Sequence, residues 1–150
     1  MRATILLAIF LMNLASSVFS QSFICSATAA AQIAPQTNGS WKGMGSSTNG
    51  QTDTFILRPP TSEDLLLLKK NPIFKGRDYS YVIVVFDLPM ILNACEYGFN
   101  ASGYISCNTG LSDFTFNFPN KRFISHEGGD FLSGNNDYVE RISLGTCIGN

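Results

Sequence analysis

Asp113 to Phe118 (DFTFNF) alternates strictly, with Phe114, Phe116 and Phe118 at every second position and Asp113, Thr115 and Asn117 between them. Successive side chains of a strand point to opposite faces, so this spacing predicts a strand with one aromatic and one polar face. Pro119-Asn120-Lys121 turns the chain, and Arg122 to Ser125 (RFIS) returns it. Upstream, Tyr79 to Asp87 (YSYVIVVFD) is a continuous β-branched and aromatic run, as expected of a central strand buried on both faces. Asp53 to Arg58 (DTFILR), ended by Pro59-Pro60, and Tyr138 to Ile148 (YVERISLGTCI) supply further strands. Short strands separated by turn signals predict a mainly β fold, an antiparallel sandwich or barrel.

One helix interrupts the strands, at Ser62 to Lys70 (SEDLLLLKK). Thr61 or Ser62 can cap it, Glu63 and Asp64 sit at its positive end, and Lys69-Lys70 sit at its negative end. Asn71-Pro72 stops it. Four successive leucines cover more than one face, so a helix this short is expected to be well buried.

The first twenty residues read as an export signal. Met1-Arg2 is a short positive region, Ala3 to Ala15 (ATILLAIFLMNLA) is apolar apart from Thr4 and Asn13, and Ser16 to Ser20 turns small and polar, with Val18 and Ser20 at the positions a signal peptidase reads. Cleavage is expected between Ser20 and Gln21, with a cut after Ser17 as the alternative. A spanning helix needs about 20 apolar residues, more than this run supplies. Tyr81 to Leu92 is also too short and is broken by Asp87 and Pro89, so no membrane span is expected after cleavage. The domain organisation is then a signal over 1–20, a flexible arm over 21–52, and one β-rich domain over 53–150. The arm follows from the Ala, Gln, Gly, Ser, Thr and Asn content of Ser26 to Thr52.

An exported chain gives its four cysteines a meaning: Cys25, Cys95, Cys107 and Cys147 read as two disulfides. The favoured pairing is Cys95–Cys107 with Cys25–Cys147, the crossed pairings staying open. The segment CEYGFNASGYISC is symmetric about Ala101. It would form a hairpin with Asn100-Ala101-Ser102 at its tip, Tyr97 facing Ile105 and Glu96 facing Ser106. Zinc is not expected, because no two cysteines approach C-x2-C spacing. Asn38-Gly39-Ser40 and Asn100-Ala101-Ser102 are N-glycosylation sequons, one in the arm and one at the hairpin tip.

Charge excludes some classes. The formal net charge is -1, becoming -2 once Arg2 is removed, and no basic run exceeds two residues. A nucleic-acid binder carries a basic stripe that this chain lacks, and polybasic membrane recognition fails on the same ground. Catalytic patterns are also missing. His126 is the only histidine, so a zinc helix or a serine triad would have to use it. His126-Glu127-Gly128-Gly129-Asp130 departs from H-E-x-x-H, and its two glycines oppose a helix. It reads as a polar turn. Gly110-Leu111-Ser112-Asp113 lacks the second glycine of a nucleophile elbow, and Gly43-Met44-Gly45-Ser46-Ser47 lacks the Lys of a phosphate loop. No enzyme, cofactor or metal site is expected.

Gly39-Ser40-Trp41, followed by Gly45-Ser46, resembles the G-x-W opening of calycins, the lipocalin and avidin type of barrel. The resemblance implies a cup-shaped barrel holding a small apolar ligand. Trp41, the only Trp, reads as an anchor of the arm to the core or as a binding aromatic. The leading expectation is a secreted, non-enzymatic binding or interaction domain with an extracellular protein or glycan partner. It would act through Trp41 and the Gly/Asn loops around Gly128 to Asp137. A calycin-like carrier is the alternative.

Overall fold

The computed structural model describes residues 21–46, 48, 53–109, 112–128 and 139–149. The export signal and residues 129–137 of the expected binding loops lie outside them. Among these residues, nine strands and one helix follow in chain order: β1 (Phe23–Pro35), β2 (Trp41–Ser46), β3 (Thr54–Arg58), α1 (Ser62–Lys70), β4 (Tyr81–Val85), β5 (Ile91–Cys95), β6 (Tyr104–Thr109), β7 (Ser112–Asn117), β8 (Arg122–Glu127) and β9 (Glu140–Gly149). All pairings are antiparallel, in the order β5-β4-β3-β1-β9-β8-β7-β6, with β2 on the edge of β1 beyond β3. Read along the chain this is an eight-stranded meander whose last strand, β9, returns to β1. The sheet is thereby a nearly closed barrel, open only between β5 and β6.

Alternation places the core as expected. Phe114 and Phe116 of β7 are buried, Phe118 just after it packs against the same cluster, and Phe123 of β8 joins them. Eight strands leave an interior that side chains can fill or that can hold one small ligand. Here aromatic rings fill it. Phe23 meets Phe116 at 4.9 Å between centroids, Phe55 meets Phe123 at 4.9 Å, and Phe99 meets Tyr81 at 5.3 Å. Tilted and edge-on contacts of this kind are each worth about 1 kcal/mol beyond the area they bury.

Strand β4 is buried on both faces, and the reason is visible. Tyr81 and Ile83 enter the barrel core, while Val82 and Val84 point outward beneath α1, where Leu68, Phe74, Tyr79 and Ala94 cover them. Burial raises the pKa of both Tyr79 and Tyr81 above the ordinary phenol value. The Tyr79 hydroxyl donates to the carbonyl of Phe74.

The helix has the expected limits but not the expected burial. Only Asp64 and Leu68 are buried, and Leu65, Leu66 and Leu67 are exposed. Its stability comes instead from its first turn. The Thr61 hydroxyl accepts from the Asp64 N–H, the Asp64 carboxylate accepts from the Thr61 N–H at 2.7 Å, and Arg58 donates to the same carboxylate from β3. This capping box plus ion pair ties α1 to the strand before it.

Three further expectations change. Residues 23–46 of the expected arm are strands joined by a turn: β1 is the longest strand, with β9 along one edge and β2 and β3 sharing the other. Strand character here is conferred by ladders on both edges, which small side chains such as Ala27 to Ala31 do not hinder. The Cys95–Cys107 segment turns at Asn100 to Gly103, where the Asn100 N–H donates to the Tyr104 carbonyl at 2.8 Å. Yet β5 and β6 form no ladder, so the facing pairs Tyr97/Ile105 and Glu96/Ser106 do not arise. His126 and Glu127 are not a turn either; they close β8, paired to β7 and β9.

Both disulfides form with the favoured connectivity. Cys25–Cys147 joins residues directly opposite on β1 and β9, within an existing ladder. Cys95–Cys107 spans the opening and brings the two Cα atoms to 4.2 Å. Beside it the Asn93 amide donates to the Cys107 carbonyl and to Ser112.

Two predictions follow from this architecture. Replacing Cys95 and Cys107 by Ser should lower stability by about 3 kcal/mol on the loop-entropy scale and raise amide exchange selectively in β5 and β6. Replacing Cys25 and Cys147 should lower it by nearly 5 kcal/mol on that scale while the β1–β9 ladder stays protected in the folded state. Hydrogen exchange by mass spectrometry distinguishes the two patterns. The second concerns Asp64. Burial pushes its carboxyl up, but the Arg58 and Thr61 hydrogen bonds outweigh that and hold it below the ordinary value. A depressed folded pKa contributes stability that is present above the unfolded value of about 3.9 and lost as pH falls through the folded value. Asp64→Asn should cost about 1–3 kcal/mol in urea unfolding at neutral pH and flatten the loss of stability below about pH 4.

Candidate functional site

Among the described residues, two grooves lie on the outer wall of the barrel. A groove of about 460 Å3 runs across β6, β7, β8 and β9, lined among others by Tyr104, Asn117, Arg122, Ile124, Leu144 and Thr146. Its origin is local. The register between β1 and β9 shifts between Ala27 and Ala29, leaving Thr28 as an extra residue whose hydroxyl donates to the Leu144 carbonyl. Such a bulge bends its strand and opens a dent in the wall. Opposite it stands Gly145, where a Cβ would lie 2.2 Å from the Ser26 carbonyl oxygen and 2.3 Å from the Phe123 ring. Only glycine permits this approach, and Thr28, Gly145 and Phe123 complete the groove lining.

Among the described residues, neither Arg122 nor its neighbour Lys121, both exposed, forms an ion pair. Among the described residues, no acidic side chain lines the groove. Its electrostatic character is therefore positive, in a chain whose formal charge is -1.

A second groove, of about 570 Å3, lies between the end of α1 and the β4–β5 turn, with Leu67, Phe74, Pro89, Met90 and Ile91 in its lining and Lys70 as its one charged residue. Leu66, Ile73 and Leu88 stand exposed as well, at 60%, 58% and 57%. Contiguous apolar surface of this kind marks interaction sites in stable domains.

The residues singled out from the sequence are dispersed. Trp41 opens β2, half-buried opposite Pro35, and belongs to neither core cluster. His126 Nε2 lies 2.9 Å from the Glu140 carboxylate on the outer wall. Across its two ladders it faces Asp113 and Ile142, neither a hydroxyl nor a thiol. Arg141 pairs at 2.8 Å with Asp53, whose side chain is 8% exposed, and among the described residues its Nε is buried without a hydrogen-bond partner. Among the described residues, no group of three His, Cys, Asp or Glu side chains is placed to hold a metal ion. The sequence reading missed the wall groove altogether. Gly145, set inside the strand pattern RISLGTCI, was the available signal, since an isolated strand glycine marks a bulge or a close backbone approach.

Asn38 and Asn100 are both exposed in turns. The Oδ1 of Asn38 accepts from the Ser40 hydroxyl at 2.6 Å, and that of Asn100 accepts from the N–H groups of Ser102 and Tyr104 at 3.0 Å.

No protein-family model, curated protein or solved structure matches this chain.

Gly145→Ala tests the account of the groove. It should lower stability by about 1–3 kcal/mol through overpacking against Phe123, measured by thermal or urea unfolding, whereas Gly43→Ala in β2, where a Cβ would meet open space, should change it far less.

Proposed function

We infer that this chain is a secreted, non-enzymatic binding domain whose partner is an extracellular protein or glycan. The observation that carries the reading is the barrel's filled interior: the rings that would border a ligand chamber pack on one another instead. Recognition then falls to the outer wall, where two grooves and unpartnered apolar side chains are found. Export through a signal over residues 1–20 is supported by the two disulfides, which persist in oxidising compartments. Among the described residues, no helix is long and apolar enough to cross a membrane.

Glycosylation at Asn38 and Asn100 belongs to the same reading. In both turns the Oδ1 is held by local hydrogen bonds, which presents the Nδ2, the atom that would receive the sugar. A second reading, a carrier of a small apolar ligand, is favoured by the strand order, because eight-stranded up-and-down barrels serve that purpose in lipocalins. The packed rings oppose it, since a carrier needs that volume for its cargo.

The secreted protein should show a polypeptide mass beginning at Gln21, lose mass on deglycosylation, retain no apolar small molecule in native mass spectrometry, and bind saturably to intact cells. A stoichiometric small ligand with no saturable cell binding would reverse the order of the two readings.

A further inference from the structure

The register makes the wall groove an ordered surface. Tyr104, Asn117, Arg122 and Thr146 stand opposite one another on four consecutive strands, so their side chains form one outward rung. They alternate with the inward Ile105, Phe116, Phe123 and Cys147, which fixes their outward direction. The next outward rung carries Thr115, Ile124 and Leu144. A hydrogen-bonding row thus lies beside an apolar one, with an aromatic ring at one end and an unpaired guanidinium in the row.

We propose that this groove binds an acidic oligosaccharide, one bearing carboxylate or sulfate groups. The proposal rests on the reading of the chain as an extracellular binding domain and supplies the chemistry of its partner. A sugar ring presents C–H groups on one face and hydroxyls around its edge. It therefore suits a surface offering the Tyr104 ring, 44% exposed, beside the Asn117 amide and threonine hydroxyls. Arg122 presents the planar fork that matches carboxylate and sulfate oxygens, and no acid in the groove competes for it. The rung crosses three inter-strand gaps of about 4.8 Å, roughly 14 Å in all, which is room for several sugar units. A peptide adding as a strand would need a free sheet edge; β7, β8 and β9 are each paired on both sides, and the one free edge of β6 faces β5 across the Cys95–Cys107 bond, away from the groove. Tyr104 also adjoins the Asn100 sequon through its N–H, so the protein's own glycan must be removed in a parallel sample.

The test is titration of glycosylated and enzymatically deglycosylated protein with a heparin-derived hexasaccharide, hexagalacturonate and neutral maltohexaose. At least one acidic probe should bind and maltohexaose should not, with the two acidic arms separating sulfate from carboxylate recognition. Arg122→Ala should weaken binding about tenfold or more, Arg122→Lys should fall between, and Tyr104→Ala should weaken it several-fold. Lys69→Ala/Lys75→Ala, two exposed lysines that line neither groove, should leave it unchanged. An equal loss in the lysine variant means diffuse charge attraction, and unchanged affinity in both groove variants means another site; either overturns the proposal. If no acidic probe binds while the protein still binds cells saturably, the groove assignment fails and the binding-domain reading stands. Cell binding removed by protease but not by glycosidases identifies a protein partner and also overturns it. Absence of cell binding as well defeats both.

Discussion

The barrel depends on one junction that has no ladder. β5 and β6 are the two ends of the hydrogen-bonded order, and unpaired sheet edges are both unsatisfied and prone to adventitious pairing. In this chain the Cys95–Cys107 bond and the Asn93 amide hold those ends together. Once they meet, the inward faces of all eight strands enclose one volume, and Phe23, Phe55, Phe114, Phe116 and Phe123 must share it. Their packing in turn commits every other residue of each strand to the outer wall. The covalent link, the aromatic core and the outward rungs are therefore consequences of a single closure.

What was legible in the sequence was what local chemistry decides. The period-two pattern of DFTFNF gave β7, and Thr61 with Asn71-Pro72 bounded α1 at its observed limits. The symmetry of the 95–107 segment led to the right cysteine pairing, though for a ladder that does not form. β1 was not legible, because Ala, Ser and Gln carry little strand signal and one of its two edges is completed by β9, more than a hundred residues away. His126-Glu127 misled for the same reason: glycines follow them, but neighbouring strands on both sides extend β8 through them. The wall groove was the least legible feature. It arises where Thr28 fails to pair and Gly145 stands opposite, a relation of register rather than of either local sequence.

The outside of the barrel is chemically uneven, and the unevenness follows from how each part is covered. On β4 and β5 the outward residues are apolar and receive a short helix, which hides Val82 and Val84 but leaves three of its own leucines in solvent. On β6 to β9 nothing is laid over the wall among the described residues, and the outward rungs mix hydroxyl, amide, guanidinium and aliphatic groups. The first surface is suited to apolar contact. The second offers directed hydrogen bonds, which favour discrimination over adhesion.

The pairing of β1 with β9 also sets an order of events in time. Cys25 and Cys147 are partners across 122 residues, so β1 leaves the biosynthetic machinery with one edge empty until more than a hundred further residues have followed. Such distant pairing makes for slow maturation and for a long interval in which β1 can find a wrong partner. β2, folding back on β1 directly after a short turn, is available from the start of that interval and occupies half of the other edge. The hairpin that bears Asn38 and Trp41 thus doubles as an early escort for the strand on which closure of the sheet waits.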